Sequence, residues 1–256
     1  MERKEGILGV LGGMGPQATN TFYQRIIDRT QAECDQEHLR VLIWSDAKIP
    51  DRTAGILGGH EEEVYQALLS GAQLLERAGC THLAIPCNTS HYFADRLSAA
   101  IGIPLIHMPR ETVKACRQAG LHRVGILATD GTVRTGIYQR ALEAVGLQPH
   151  LLPDDLQRQV MSIIYDEIKR GETGSREKFA LIDDHLRAAG CDGAILGGAV
   201  GLPRPARPAA VLPRRDGDPR RAVDPALREA AEERVRPSLR PERGPKLWIG
   251  CVMDWI

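Results

Sequence analysis

The sequence predicts an α/β protein built from two open parallel sheets with a cleft between them. Apolar runs of strand length alternate with amphipathic stretches of helical length over residues 6–198, and this alternation favours parallel strands connected by helices. The two halves of this region also repeat each other. GILGVLGG (6–13) corresponds to VGILATDG (124–131), and AGCTHLAIPCNTS (78–90) corresponds to AGCDGAILGGAVG (189–201). The repeat indicates an internal duplication, and hence two pseudo-symmetric, flavodoxin-like halves.

The first half is predicted to contain four strands and three helices. Short runs rich in Val, Ile and Leu predict strands at 6–13, 39–46, 81–87 and 103–108. Apolar residues three or four positions apart predict helices at 18–30, 61–79 and 93–102. Residues 47–53 follow neither period and are predicted to form a loop. We assign this N-terminal α/β domain to residues 1–109.

The second half is predicted to start with a helix and to continue with two further strands. Helical periods cover 111–120, 135–146, 156–171 and 176–190, and strands are predicted at 123–129 and 191–198. Asp130, Gly131 and Thr132 follow the first of these strands and are predicted to form a polar turn. We assign this C-terminal α/β domain to residues 110–200.

Residues 201–256 differ in composition from the rest of the chain and are assigned to a separate tail. From residue 198 onward the chain holds 9 of its 16 prolines and 11 arginines, so no strand or helix period is sustained there. Only 226–235 has a helical pattern. We expect a poorly ordered extension, and the alternative is a basic tail that binds an acidic partner.

The charge balance and the cysteines limit the class of protein. Lys plus Arg equals Asp plus Glu at 33 each, which argues against broad electrostatic binding of nucleic acid or of an anionic membrane. The apolar run at the N-terminus is too short for a signal peptide or a membrane span. The six cysteines have neither a disulfide-framework spacing nor a zinc spacing. We therefore expect reduced thiols in a cytoplasmic protein without a metal.

One cysteine lies in a chemically dense segment, HLAIPCNTSHYF. Pro86 is predicted to end a buried strand, so Cys87 lies at the carboxyl end of a parallel strand, where such sheets bind ligands. An amide and two hydroxyls follow Cys87 directly. We expect Cys87 to be catalytic, and the alternative is a buried sulfur. His91 is expected to be structural and to cap or brace the helix that follows the cysteine loop.

A glycine loop after the first strand has a second interpretation. GGMGPQAT contains G-x-G-x-x-A at Gly13, Gly15 and Ala18, and Asp46 at the end of the next strand is placed to bind a ribose. Pro16, however, occupies a position where a dinucleotide site uses a backbone N–H. A small anion binds equally well at such a helix start.

Five motifs together resemble the aspartate/glutamate racemase family. They are LGGMGPQAT, IPDRT, IPCNTSH, GILATDGTVRTGIYQ and IKRG, in this order, and the resemblance covers residues 5–197. It implies a cofactor-independent amino-acid racemase with two pseudo-symmetric α/β domains, a small-molecule substrate and a homodimer. In such enzymes two cysteines face each other across the substrate α-carbon. One thiolate removes the α-proton while the other thiol returns a proton from the opposite face.

The resemblance also assigns roles to individual residues. It implies that Cys87 is an acid–base catalyst and that the glycine loop around Met14 closes the floor of the cleft. The expected substrate-binding residues are Asn88, Thr89 and Thr132 for the α-carboxylate, and Arg52 and Lys169 for the side-chain carboxylate of aspartate or glutamate. Each of the last three has an alternative: Thr132 as a helix cap, Arg52 as a surface charge, and Lys169 as a cation at a helix C-terminus.

The second cysteine of the family pattern is absent. Gly198 stands at its position, Cys191 lies seven residues too early, and Cys251 cannot be aligned. One explanation is a small deletion followed by out-of-frame translation. Residues 198–202 and 215–222 can be written with codons that, read one base later, encode Glu-Leu-Ser-Val and Ala-Thr-Ala-Ile-His-Ala-Glu, which resemble the family's continuation. Sequencing the gene tests this, because codons that cannot yield these words contradict it.

Two other functions are consistent with the same residues. A single thiol with carboxylate-binding hydroxyls also suits a decarboxylase or a cis–trans isomerase of small dicarboxylates. A non-catalytic protein that binds acidic amino acids through Arg52 and Lys169 is the other alternative. Turnover of malonates or maleate would distinguish the decarboxylase or isomerase from a racemase. Binding of acidic amino acids without α-proton exchange would distinguish the non-catalytic binding protein from a racemase.

Overall fold

Two parallel sheets form the framework of the protein. The computed structural model describes residues 6–197 and the backbone of residues 247–250, and all of these belong to one unit of the chain. The predicted α/β class with two parallel sheets is confirmed. No helix among these residues has the length and apolar character that crossing a membrane requires.

The first half contains four strands and four helices. In chain order they are β1 (Ile7–Gly12), α1 (Pro16–Arg29), β2 (Arg40–Ser45), α2 (Arg52–Leu57), α3 (Glu61–Arg77), β3 (His82–Ala84), α4 (Ala94–Ala100) and β4 (Leu105–Ile106). A 3-10 turn at Thr89–Phe93 leads from the end of β3 into α4.

The second half repeats this arrangement. Its elements are α5 (Met108–Gln118), β5 (Arg123–Ala128), α6 (Asp130–Arg134), α7 (Ile137–Ala144), β6 (Gln148–His150), α8 (Asp154–Ser162), α9 (Arg176–Ala188), β7 (Gly193–Gly197) and β8 (Leu247–Gly250). A π-helical turn at Ile163–Glu167 and a 3-10 turn at Ile168–Arg170 extend α8.

The strand orders of the two sheets are the same. They are β2-β1-β3-β4 and β6-β5-β7-β8, with every neighbouring pair parallel. The strand that ends before Cys87 (β3) therefore corresponds in position to β7, and β1 corresponds to β5. Because all strands of a sheet run the same way, the polar turns after β1, β3 and β5 lie at carboxyl ends, where parallel sheets bind ligands.

Four segments differ from the sequence-based predictions. Part of the predicted loop 47–53 begins α2, because the Asp51 side chain accepts a hydrogen bond from the Ala54 N–H at 2.9 Å and caps a helix there. The predicted polar turn at 130–132 is the start of α6, which Thr129 caps in the same way. Strand β6 was not predicted, because it has only three residues, one of them a proline, and these show no alternation of apolar and polar side chains. The predicted helix 156–171 ends in the π-helical and 3-10 turns.

Two of the predicted domain divisions, the boundary between residues 109 and 110 and the tail 201–256, can be compared with the described elements. α5 spans the predicted boundary between residues 109 and 110. In the predicted tail, residues 247–250 form β8 and pair with β7, whereas the rest of 201–256, including the helix predicted at 226–235, lies outside the described residues. The division into 1–109, 110–200 and 201–256 stays a prediction.

The core of each half lies between its sheet and the helices that cover it. In the first half the fully buried residues come from β1, α3, β3 and α4, and they include Leu11, Leu68, Leu75, Leu83 and Leu97. Burying one such leucine contributes about 1.5–3 kcal/mol relative to leaving it exposed. In the second half the corresponding residues come from β5, α7 and β7 and include Ile126, Leu142 and Ile195. These cores fix where the carboxyl ends of the strands lie.

The glycine loop after β1 makes a close backbone contact. Gly13 has φ +91, and a Cβ at this position would lie 2.3 Å from the carbonyl carbon of Asp46. The Gly13 N–H donates to the Thr19 hydroxyl oxygen at 2.9 Å, which ties the loop to α1. The loop therefore requires glycine at this position for two reasons, backbone conformation and space.

A matched pair of glycine substitutions tests this requirement. Gly59 also has a positive φ, +75, but no atom lies within 4 Å of the position of a Cβ there. We expect Gly59→Ala to lower the free energy of unfolding by about 1–2 kcal/mol from backbone strain alone. Gly13→Ala should lower it by on the order of a further 1–3 kcal/mol, because Asp46 must move. Urea denaturation measures both, and equal losses would contradict the close contact.

Candidate active site

Cys87 lies in the turn after β3, where the two halves meet. Its residue is 8% exposed, and its N–H donates to the Ile85 carbonyl at 2.8 Å. The following residues Asn88, Thr89 and Ser90 are also buried. The dense polar segment thus folds into a compact turn at the seam between the halves, and every polar group in it needs a partner.

His91 stabilises this turn through hydrogen bonds at both ring nitrogens. Its Nδ1 lies 2.8 Å from the Cys87 carbonyl oxygen, and its Nε2 accepts a hydrogen bond from the Met108 N–H at 3.2 Å. Since a carbonyl only accepts, the hydrogen is on Nδ1 and the ring is neutral. Burial, together with the nearby His107, lowers the pKa of His91 to about 4, which agrees with this tautomer. His91 is thus structural, but it braces the turn of Cys87 and the start of α5 rather than the helix that follows the turn.

Three threonine hydroxyls join the two halves beside Cys87. The Thr89 Oγ1 lies 3.0 Å from the Thr129 Oγ1 and 2.9 Å from the Thr132 Oγ1, and the last two are 3.2 Å apart. All three residues are buried. Thr132 is not the helix cap that was its alternative, because its own N–H donates to the capping Thr129. Thr89 and Thr132 are therefore brought together, with each other's hydroxyls as partners.

Asn88 contacts the second half through Tyr138. The Tyr138 hydroxyl donates to the Asn88 Oδ1 at 2.5 Å, and both side chains are buried. This hydrogen bond fixes the orientation of the amide, because the oxygen must face the tyrosine. The amide NH₂ group of Asn88 is then directed away from Tyr138 as a donor.

Met14 and Arg52 connect the glycine loop to α2. The Ser90 hydroxyl lies 3.4 Å from the Met14 sulfur, and an Arg52 Nη2 hydrogen points to the Met14 carbonyl at 3.4 Å. The Nη1 group of Arg52 donates to the carbonyls of Ile49 and Pro50. Arg52 is only 8% exposed, so it is not the surface charge of the alternative interpretation.

The donors of Arg52 are only partly used. Its Nε is buried and has no hydrogen-bond partner within the described part of the chain. Three of the five N–H groups of the guanidinium are directed at backbone carbonyls, so the Nε–H and one Nη2–H remain. A buried cationic donor without a partner is costly, and a carboxylate supplies what it lacks.

Lys169 reaches the same region from the second half. Its Nζ lies 3.2 Å from the Asp51 Oδ2 and 3.5 Å from the centre of the Tyr165 ring, and the Tyr165 hydroxyl also donates to Asp51. Although burial opposes the charged carboxylate, the Ala54 N–H and the Lys169 ammonium hold the pKa of Asp51 below its usual value. Lys169 lies in the 3-10 turn after α8 and contacts Asp51, the residue that precedes Arg52 in the chain.

The cysteines other than Cys87 lie elsewhere. Cys191 precedes β7 and is buried in the core of the second half, where burial raises the pKa of its thiol. It lies at the amino end of its strand, so it cannot face Cys87. The predicted position of the missing cysteine, Gly198, and the unaligned Cys251 lie outside the described residues. All five described cysteines are free, and no cluster of metal-ligating side chains occurs in residues 6–197.

Four residues of this region were not predicted from the sequence. Thr129 follows a strand directly, and that position was a usable signal. Asp51 stands in the IPDRT motif beside Arg52, but its link to Lys169 depends on a contact 118 residues away. Tyr138 lies within the motif GILATDGTVRTGIYQ, which was a usable signal, whereas Tyr165 carries none because its position in a helical segment resembles that of an ordinary core residue.

Comparison with known proteins connects this arrangement to one family. The model of the family described as "Asp/Glu/Hydantoin racemase" matches residues 11–225, so the match runs beyond residue 197, where we expected it to end. The broad specificity amino-acid racemase RacX of Bacillus subtilis (strain 168) is 29% identical over 164 residues, which are 62% of this chain and 69% of that protein.

Two solved structures share the fold. The aspartate racemase of Picrophilus torridus is 28% identical with a TM-score of 0.65, over 75% of this chain and 80% of that chain. An aspartate racemase homologue from Pyrococcus horikoshii is 25% identical with a TM-score of 0.63, over 78% and 87%. The chain therefore belongs to the Asp/Glu/Hydantoin racemase family, and its enzyme class is that of the amino-acid racemases.

Proposed function

We propose that this protein is a cofactor-independent racemase of acidic amino acids in which Cys87 exchanges the α-proton. The observation that carries the proposal is the position of Cys87 in a buried turn at the seam, beside Asn88 and next to a hydroxyl cluster shared by both halves. The names of its relatives, which include broad specificity and aspartate racemases, support an amino acid as the substrate class.

The chemistry requires a base and fixed donors. The α-proton of an amino acid is a very weak acid, so negative charge develops on the α-carbon and the carboxylate as a thiolate removes it. Preorganised donors around the carboxylate stabilise that charge. The Asn88 amide is held in one orientation by Tyr138, and the Thr89 and Thr132 hydroxyls can each turn toward a carboxylate. These donors are rigid because both halves hold them.

The cations favour a second carboxylate on the substrate. Arg52 has two donors left for a bidentate contact, and its remaining hydrogen bonds hold it in place. Lys169 adds a positive charge at Asp51, the neighbour of Arg52 in the chain, and Asp51 partly neutralises it. A dicarboxylic amino acid such as aspartate or glutamate matches two groups of donors, whereas a neutral amino acid leaves the buried guanidinium unpaired.

A single thiol limits what the chain achieves. The position that the family pattern gives to the second cysteine is occupied by Gly198, so Cys87 acts on one face of the α-carbon without a thiol at residue 198 to return a proton. We therefore expect racemisation to be slower by orders of magnitude than with two thiols, while α-proton exchange of one enantiomer continues.

Substitution of Cys87 tests the proposal. Each enantiomer of aspartate and of glutamate is incubated with the protein in D₂O, and proton NMR follows the loss of the α-proton while chiral chromatography follows racemisation. We expect exchange of one enantiomer by the unsubstituted chain and at least about a hundredfold loss in Cys87→Ser, since the base is removed. Cys34→Ser is the matched control, because Cys34 is exposed and distant in sequence from every predicted site residue.

Three outcomes contradict the proposal. Exchange that survives Cys87→Ser shows that another group is the base. Fast racemisation by this chain refutes the single-thiol mechanism. Calorimetric binding of aspartate that Cys87→Ala retains, with no exchange by either protein, instead supports a non-catalytic binding protein.

Substitution of Lys169 tests the substrate class. Lys169→Met keeps a similar length and removes the charge. Because the side chain is partly exposed, we expect aspartate to bind about three- to tenfold more weakly, while the binding of alanine changes less than twofold. Isothermal calorimetry measures both ligands on both proteins. Equal losses for aspartate and alanine would show that Lys169 does not contact a side-chain carboxylate.

We also propose that the protein forms a homodimer in the cytoplasm. β2 is an edge strand that exposes Leu42 and Trp44, at 39% and 41%, and a second copy would cover this edge. Light scattering should give twice the chain mass, and Trp44→Glu should shift the equilibrium toward the single chain. A monomer at all concentrations, or a dimer unaffected by Trp44→Glu, would contradict this surface.

A further inference from the structure

A cavity lies between α5 and α7, and His91 is among the residues that line it. Its volume is about 540 Å³, which is in the range of small-molecule sites. Residues of α5, α7 and the turns around His91 and His107 line it. We call it the α5–α7 groove. None of the predicted substrate-binding residues lines it, so it is distinct from the site around Cys87.

The rim of this groove is strongly basic. The α5 side contributes Arg110, Lys114 and Arg117, which are three or four positions apart and so share one face of the helix, and α7 contributes Arg140. Asp95 is the one carboxylate among the lining residues that the structure describes. The chain as a whole has no net charge, so this concentration of cations is a local feature.

Two of the four cations have no acidic partner. Arg110 lies 3.4 Å from Asp95, and Lys114 lies 3.5 Å from Glu111 in a pair that is largely exposed. For Arg117 and Arg140 no carboxylate lies within ion-pair distance in the part of the chain that the structure describes. Guanidinium groups match phosphate oxygens through paired N–H donors, and two arginines from facing helices can reach the same phosphate chain.

The floor of the groove is apolar. Val113 and Ile137 are nearly fully buried beneath it, and Ala141, Ala144 and Val145 of the α7 side complete it. The ring of Tyr92, at one end, is 40% exposed. An inorganic ion would use the rim alone, whereas a ligand with an apolar or aromatic part would use both the rim and the floor.

We propose that the α5–α7 groove binds a small organic polyphosphate, with its phosphates on Arg117, Arg140 and Lys114 and its apolar part on the floor. The volume of the groove, about 540 Å³, favours a small molecule over nucleic acid, which needs a long basic surface. His91 belongs to both regions, because it lines the groove and contacts the Cys87 carbonyl. The proposal does not depend on the racemase mechanism.

Calorimetry with three probes tests the proposal on the full chain. ATP carries phosphates and an aromatic base, pyrophosphate carries the phosphates alone, and adenosine carries the base alone, all without divalent metal. We expect ATP to bind more tightly than pyrophosphate, and adenosine not to bind detectably. Absence of binding by both ATP and pyrophosphate overturns the site, and equal affinity for the two overturns the role of the floor.

Charge-reversed variants locate the binding. Arg117→Glu with Arg140→Glu should weaken ATP binding by at least about tenfold, because two phosphate contacts become repulsive. The matched control is Arg158→Glu with Arg176→Glu, two exposed arginines on α8 and α9 that change the net charge equally; it should change binding by less than about twofold. Equal losses in both variants would show non-specific attraction and overturn the proposal.

A milder variant separates binding from folding. Should the charge-reversed protein unfold, Arg117→Gln with Arg140→Gln removes the charges without repulsion, and thermal denaturation confirms that it is folded. Retained ATP affinity in this folded variant contradicts the assignment, and a loss of affinity supports it.

Discussion

The hydrogen-bonded cluster of Thr89, Thr129 and Thr132 is the interaction on which the rest of this site depends. Each hydroxyl lies within 3.2 Å of the other two, so the turn after β3 and the start of α6 are held together at the seam. Gly131 permits this contact, because a Cβ there would lie 2.9 Å from the Thr53 hydroxyl. The cluster is buried, each hydroxyl has the other two as neighbours, and such networks fix the arrangement of the groups around them. The location of Cys87 relative to the second half follows from it.

The charged residues Arg52 and Asp51 each make several contacts at this end of the sheet. Arg52 holds the backbone of two loops through its Nη groups and retains unused donors, so one side chain both shapes and lines the site. Asp51 caps α2 and accepts hydrogen bonds from Tyr165 and Lys169. Through Asp51, the cationic Lys169 of the second half contacts the first half. Two neighbouring residues of the IPDRT motif therefore make different contacts, and each of the two makes more than one.

The two halves are equivalent in fold and different in chemistry. Both sheets have the same strand order, yet the turn after β3 carries a thiol, an amide and a hydroxyl, whereas the sequence after β7 continues with glycine, alanine and valine. Cys191 does not compensate, because it lies at the other end of β7 and burial disfavours its thiolate. The two halves of the duplicated scaffold therefore differ at equivalent positions, because the repeat aligns Cys87 of the first half with Gly198 of the second.

The sequence by itself determined the α/β class, the repeated halves, the strand end that carries Cys87 and the motif that contains Arg52, because these depend on local periodicity and on residue types next to each other. It did not determine the helix caps at Asp51 and Thr129, the short strand β6, or the partners Tyr138 and Tyr165, since each depends on contacts between distant segments. The α5–α7 groove was not determined by the sequence either. Its arginines have the spacing of ordinary solvent-exposed helix residues, and only the packing of α5 against α7 brings them together. Local pattern fixes the elements, whereas only tertiary packing decides which buried polar groups become each other's partners.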